Sequence, residues 1–158
     1  MPGTRLLVIS RDDILAAMES VSSEKILRSL AALTRQGYHL LAAAPQPTQW
    51  NGEHGNPDDS LLGPNSIRKR LAALGGVLDG VYYVRRSMLT KKRNREDALL
   101  EILQRYSARP EHVVLLSSKR NFAKAARKLG LQTTQLGPEK DLATELDRLA
   151  EERLSQDS

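Results

Sequence analysis

The sequence predicts an α/β fold: a three-layer sandwich with a central parallel sheet. Three observations predict it. Short continuous apolar runs recur along the chain, the pattern of strands buried on both faces. Segments of helical period separate them, and alternation of strand with helix favours a parallel sheet covered by helices. At 158 residues, with 40% hydrophobic and 27% charged side chains, the chain can bury one core and stay soluble as a globular protein.

The elements follow in order. TRLLVIS, residues 4–10, reads as a first strand running into a charged turn at Ser-Arg-Asp-Asp. SSEKILRSLAALTRQG sets Ile26, Leu27, Leu30 and Leu33 at helical spacing and stops at Gly37. YHLLAAA, residues 38–44, is a second strand closed by the breakers in PQP. Residues 51–65 are rich in Gly, Pro, Asn and Asp and read as a long surface loop; such loops are more often functional or mobile than incidental. SIRKRLAALGG is a helix, and LDGVYYV, residues 78–84, a third strand. NREDALLEILQRYS reads as a helix with Asn94 as its N-cap and acids in its first turn. EHVVLLS (111–117) and LQTTQL (131–136) are the last strands, with the helix KRNFAKAARKLG between them. Pro138 opens a final helix, PEKDLATELDRLAEERL. One domain is expected over residues 1–154, with residues 155–158 as a frayed tail.

The net charge of +5 is unevenly spread. Residues 85–95 and 119–128 hold eleven Lys and Arg and no acid, so the remainder is net acidic. A basic face of this kind attracts anions. No run approaches the roughly 20 apolar residues that span a bilayer, and the apolar N-terminal run is too short for a signal peptide. No cysteine is present, which excludes disulfides and thiolate zinc sites. A cytoplasmic protein without membrane attachment is expected.

In doubly wound sheets ligands bind at the carboxyl ends of the strands, and here the surrounding text has a family likeness. LAALTRQGYHLLAAAPQ, LDGVYYV and SARPEHVVLLSSKRNFAKAARKLGLQTTQLG resemble the haloacid dehalogenase-like phosphatases, within them the subgroup of heptose bisphosphate and histidinol phosphate phosphatases. The likeness runs from about residue 5 to residue 137 and implies a haloacid dehalogenase-like, Rossmannoid sandwich with no separate cap domain. It implies an attacking aspartate and an acid-base aspartate in an Asp-x-Asp turn; these positions hold Ser10 and Asp12. The hydroxyl donor to phosphate falls on Ala44, and the lysine of the third motif on Lys92, with Lys91 the near alternative. The magnesium-binding turn falls on SSKRNF, where Ser117 and Ser118 replace Gly-Asp and Phe122 stands at the further acidic position. The cysteine-histidine zinc loop of some relatives is absent.

A serine without a base beside it is a weak nucleophile. Magnesium, the cofactor that the resemblance implies, wants hard oxygen ligands including carboxylates; Asp12 alone remains, beside Lys119 and Arg120, so the site is expected to be lost. The expectation is a pseudophosphatase acting as a binding or scaffolding module. Lys91, Lys92, Lys119 and Arg120 would form an electropositive remnant pocket for an anionic ligand or an acidic segment of a protein partner. Two alternatives stay open. One is an active phosphate monoester hydrolase with atypical machinery, such as Asp12 and a water. The other is a basic nucleic-acid-binding protein, held by charge alone because no stacking platform is legible.

Asp12 is either a relic acid or a cap on its own turn, and Asp13 reads as a surface residue. His39, His54 and His112 lack metal-ligand spacing and read as structural. Trp50 is expected to pack under the 51–65 loop.

Overall fold

Leu6, Leu7, Val8 and Ile9 are all essentially inaccessible to solvent, and the way they divide between two cores sets the architecture. The computed structural model describes residues 4–45, 66–84 and 92–157. Its strands are β1 (Arg5–Ser10), β2 (Tyr38–Pro45), β3 (Leu78–Val84), β4 (Val113–Ser117) and β5 (Gln132–Gln135). The α-helices among the described residues are α1 (Arg11–Met18), α2 (Ser23–Arg35), α3 (Ile67–Ala73), α4 (Lys92–Tyr106), α5 (Arg120–Lys128) and α6 (Leu142–Asp157). All strand pairs are parallel, in the order β3-β2-β1-β4-β5. The predicted fold class is the observed one.

Successive strand side chains point to opposite faces. Leu7, Ile9, Leu40, Ala42, Val114 and Leu116 therefore join α1, α2, α3 and α6 in one core. Leu6, Val8, Leu41, Ala43, Val113 and Leu115 join α4 and α5 in the other. With β1 central and covered on both faces, its unbroken apolar run follows. Among the described residues no helix is long and apolar enough to cross a membrane.

Glycine marks the helix ends where sequence placed it. Gly37 (φ 107°) and Gly130 (φ 90°) follow α2 and α5 in the left-handed region that costs glycine nothing. After α3, Gly75 N–H bonds to Ala72 and Gly76 N–H to Leu71, the paired bonds of a Schellman turn. The turn is clasped by the end of α2: Arg35 donates to the Leu74 carbonyl, and Thr34 Oγ1 accepts from Val77 N–H at 3.1 Å.

Several boundaries differ from expectation. The charged turn after β1 is a helix: Ile14 and Ala17 reach the core, and Asp12 and Asp13 in its first turn suit the helix dipole. α4 starts at Lys92, so Asn94 lies inside it and not at its N-cap; Lys and Arg are good helix formers and carry the helix further upstream. Residues 111 and 112 belong to a 3₁₀ turn begun by Pro110, not to β4. Pro138 lies in a bend closed by mutual Gly137–Lys140 backbone hydrogen bonds. α6 starts later, at Leu142, and runs on to Asp157, beyond residue 154. The 51–65 loop, Trp50 and His54 lie outside the described residues.

Asp141 caps α6, its Oδ1 accepting from Thr144 N–H at 2.8 Å. That bond holds its carboxyl below the usual carboxylate range. A carboxyl whose folded-state pKa is depressed stabilises above its unfolded value, and the contribution is lost as the pH falls through the folded one. Asp141→Ala is therefore expected to cost about 1 kcal/mol at neutral pH, with Asp141→Asn close to the parent. In urea titrations the gap between parent and Asp141→Ala should shrink in acid below the ordinary carboxylate range; a gap unchanged by pH would contradict this role.

Candidate functional site

β1 lies between β2 on one side and β4 on the other, so the chain reverses its winding direction between β1 and β4. A crevice opens at the carboxyl ends of strands where that happens. Ser10 ends β1 and Ser117 ends β4. Across the switch point their hydroxyls meet at 2.5 Å. Ser10 is 6% exposed and Ser117 1%, and Ser117 Oγ also accepts from Lys119 N–H at 3.0 Å. This is a neutral pair, buried and satisfied by its own partners.

Just above it the charges are paired. Asp12 Oδ1 accepts from Arg11 Nε at 3.2 Å, and its Oδ2 lies 3.4 Å from Lys119 Nζ. Asp12 is thus bound to two cations and does not cap its turn. Asp13 Oδ2 accepts from Ser118 N–H at 2.9 Å. Three contacts, Ser10–Ser117, Asp12–Lys119 and Asp13–Ser118, therefore tie the start of α1 to the approach to α5. Asp13 read as a surface residue from sequence. Its signal, an acid in the first turn after β1, has meaning only once β4 is known to lie beside that strand.

Ser10, Asp12, Ser117, Ser118 and Lys119 are brought together. Ala44 stands on β2 one residue past the partner of Ser10 and is buried, offering a methyl and no donor. Arg120 is exposed at the first residue of α5. Phe122 is turned away from the crevice into the core under α4 and α5. Lys91 lies outside the described residues, and Lys92 is the first residue of α4. His112 belongs to the 3₁₀ turn before β4.

His39 sits at the other end of the sheet, its Nδ1 3.0 Å from Asp79 Oδ2. Tyr106 O–H also donates to that oxygen, at 3.4 Å, and burial followed by the Asp79 charge raises its phenol above the usual range.

A magnesium ion fits these donors poorly. It wants near-octahedral oxygens with carboxylate charge, whereas Asp12 is engaged by Arg11 and Lys119 and the serines bring no charge. Among the described residues no three His, Cys, Asp or Glu side chains converge on a metal-sized point.

No protein-family model matches the chain, and no curated protein does. Solved structures do. D,D-heptose 1,7-bisphosphate phosphatase from B. bronchiseptica, complexed with magnesium and phosphate, superposes with a TM-score of 0.60 at 18% identity, over 94% of this chain and 99% of that one. The fold is haloacid dehalogenase-like. The corresponding phosphatase from Burkholderia thailandensis gives a TM-score of 0.58 at 20% identity, over 92% and 98% of the two chains. An uncharacterized protein from Corynebacterium glutamicum gives 0.57 at 16%, over 97% and 94%. Within this haloacid dehalogenase-like frame the crevice holds hydroxyls and paired charges.

Proposed function

We propose that this chain is a non-catalytic protein of haloacid dehalogenase-like fold, a cytoplasmic binding or scaffolding module that takes an anion at the carboxyl end of its sheet. One observation carries the reading. Where the resemblance places an attacking carboxylate, Ser10 holds a hydroxyl bonded to Ser117, with no base beside it among the described residues, and Asp12 is occupied by Arg11 and Lys119.

The anion reading rests on α5. The first turn of a helix presents unbonded N–H groups and the positive end of the helix dipole. In α5 Ala123 N–H bonds back to Lys119; the Ser118 and Lys119 amides are taken by Asp13 and Ser117, so the amides of residues 120–122 are the ones left for an anion. Lys119 and Arg120 are exposed there. The Lys119–Asp12 pair is solvent-exposed, with both side chains about half accessible, and such pairs contribute roughly 0–1 kcal/mol. Lys119 can therefore leave Asp12 for a phosphate, a sulfate or an acidic peptide segment at little cost. Lys91 and Lys92 are proposed to add to the same field.

Titrations followed by the NMR amide signals of Ser118, Lys119 and Arg120 test this. Phosphate is expected to move them saturably, more weakly as salt rises, and magnesium to leave them in place. Lys119→Ala with Arg120→Ala should weaken phosphate binding about tenfold, equivalent to about 1.4 kcal/mol. Magnesium shifts at sub-millimolar levels without a phosphate response would overturn the proposal.

One observation favours a nucleic acid as the anion. Arg120, Lys124, Arg127 and Lys128 are all exposed on α5, a helix with no acid. RNA or DNA binding that falls steeply with salt and is lost on neutralising Lys124 and Arg127 would support this second reading.

A further inference from the structure

We infer that a cleft between α1 and the β5–α6 connection is a binding site for a small organic cation, an amine carrying a short apolar body. The cleft has a volume of about 340 Å³, near the lower end of the range for small-molecule sites. Its floor is apolar: Ala17, Ile26, Leu136 and Leu142 line it, and all four are buried.

The charge on its walls has one sign. Asp13 and Asp141 are lining residues, and no Lys or Arg is among the lining residues, in a chain of net charge +5. Neither carboxylate forms an ion pair among the described residues; Lys25, paired with Asp147 at 2.9 Å, acts on Asp141 only at longer range. Both are oriented by backbone amides instead, Asp13 by Ser118 N–H at 2.9 Å and Asp141 by Thr144 N–H at 2.8 Å. The Thr144 bond keeps the Asp141 carboxyl below its usual range, so it stays anionic at neutral pH. Ser22 also lines the cleft, and its side chain makes no capping hydrogen bond to α2.

These features select a ligand class. An anion meets two carboxylates of like charge. A bare divalent metal meets too few ligands, since no group of three His, Cys, Asp or Glu converges among the described residues. A neutral apolar molecule covers the floor and leaves both charges unmatched. An ammonium group supplies charge-assisted hydrogen bonds to the carboxylates, and its hydrocarbon body buries the floor. Nothing in this assignment depends on the phosphate reading of the crevice.

The test uses the full chain and three probes of one shape: benzylamine, benzyl alcohol and benzoate. Benzylamine at millimolar concentration is expected to shift the NMR amide signals of Ala17 and Leu142 saturably. The alcohol and the acid should bind at least about tenfold more weakly. The double variant Asp13→Asn, Asp141→Asn keeps a side-chain oxygen to accept each backbone N–H, so its fold should survive, and it should lose about tenfold in amine affinity. Equal responses to amine and alcohol, no saturable shift, or unchanged amine binding in the double variant would each overturn the assignment.

Discussion

Gly76→Ala is expected to destabilise the protein by roughly 3 kcal/mol, toward the upper part of the range for overpacking. The added methyl would lie 2.6 Å from Ala31 Cα and 2.8 Å from Ala31 Cβ, both in the middle of α2. Neither atom belongs to a flexible side chain, so relief requires α2 or the α3–β3 turn to move. That turn is held by the Gly76–Leu71 bond of 2.8 Å, the Arg35 contact to Leu74 and Thr34, so movement breaks further bonds. Gly137→Ala is the control, because a methyl there meets nothing within 4 Å. In a chain of this size the loss corresponds to about 6–12 °C in Tm. Urea unfolding that placed Gly76→Ala within about 0.5 kcal/mol of the control, the usual range for a substitution at an undemanding site, would show that α2 and α3 are not clamped together as described.

Magnesium-dependent hydrolysis of phosphate monoesters is expected to be absent, by a factor on the order of a million against a working enzyme, the scale seen where a nucleophile is removed. Among the described residues Ser10 has a hydroxyl partner and no base, and a hydroxyl without a base is a poor nucleophile. Asp12 could act on a water only after leaving both Arg11 and Lys119. The assay is release of phosphate from several monoesters with magnesium, run beside Asp12→Asn. Turnover in the parent that Asp12→Asn abolishes would establish the atypical hydrolase and reverse the functional reading.

The sheet was legible because β1 and β4 are short apolar runs with no alternative use, and because Gly37 and Gly130 occur where α2 and α5 stop. α1 was not legible. It is eight residues long with two buried positions, Ile14 and Ala17, and its paired aspartates are also turn-forming residues. The starts of α4 and α6 were misplaced for a related reason: a cap residue or a proline permits a helix start without requiring one, and in α6 it is Asp141 that holds the amide that matters. In the site, the positions of Ser10, Asp12, Ser117 and Ser118 could be read from local text. Their bonds could not. Asp12–Lys119 and Asp13–Ser118 join segments more than a hundred residues apart, so sequence showed Lys119 as a spare charge, while the fold gives it a partner.

The Ser10–Ser117 pair also bears on how this chain can change over generations. A carboxylate placed at position 10 by one substitution would enter a site 6% exposed, facing the Ser117 hydroxyl and competing with Asp12 for Lys119. Burying an uncompensated charge costs several kcal/mol, and that cost falls on a protein whose whole stability is of order 5–15 kcal/mol. Charge at position 10 becomes tolerable only after position 117 or its neighbours supply a compensating group, and such a group has no stabilising effect until the charge exists. Each step is unfavourable until the other has been taken. The two serines thus act as an epistatic lock: a charge at one position is tolerated only together with a second change beside it.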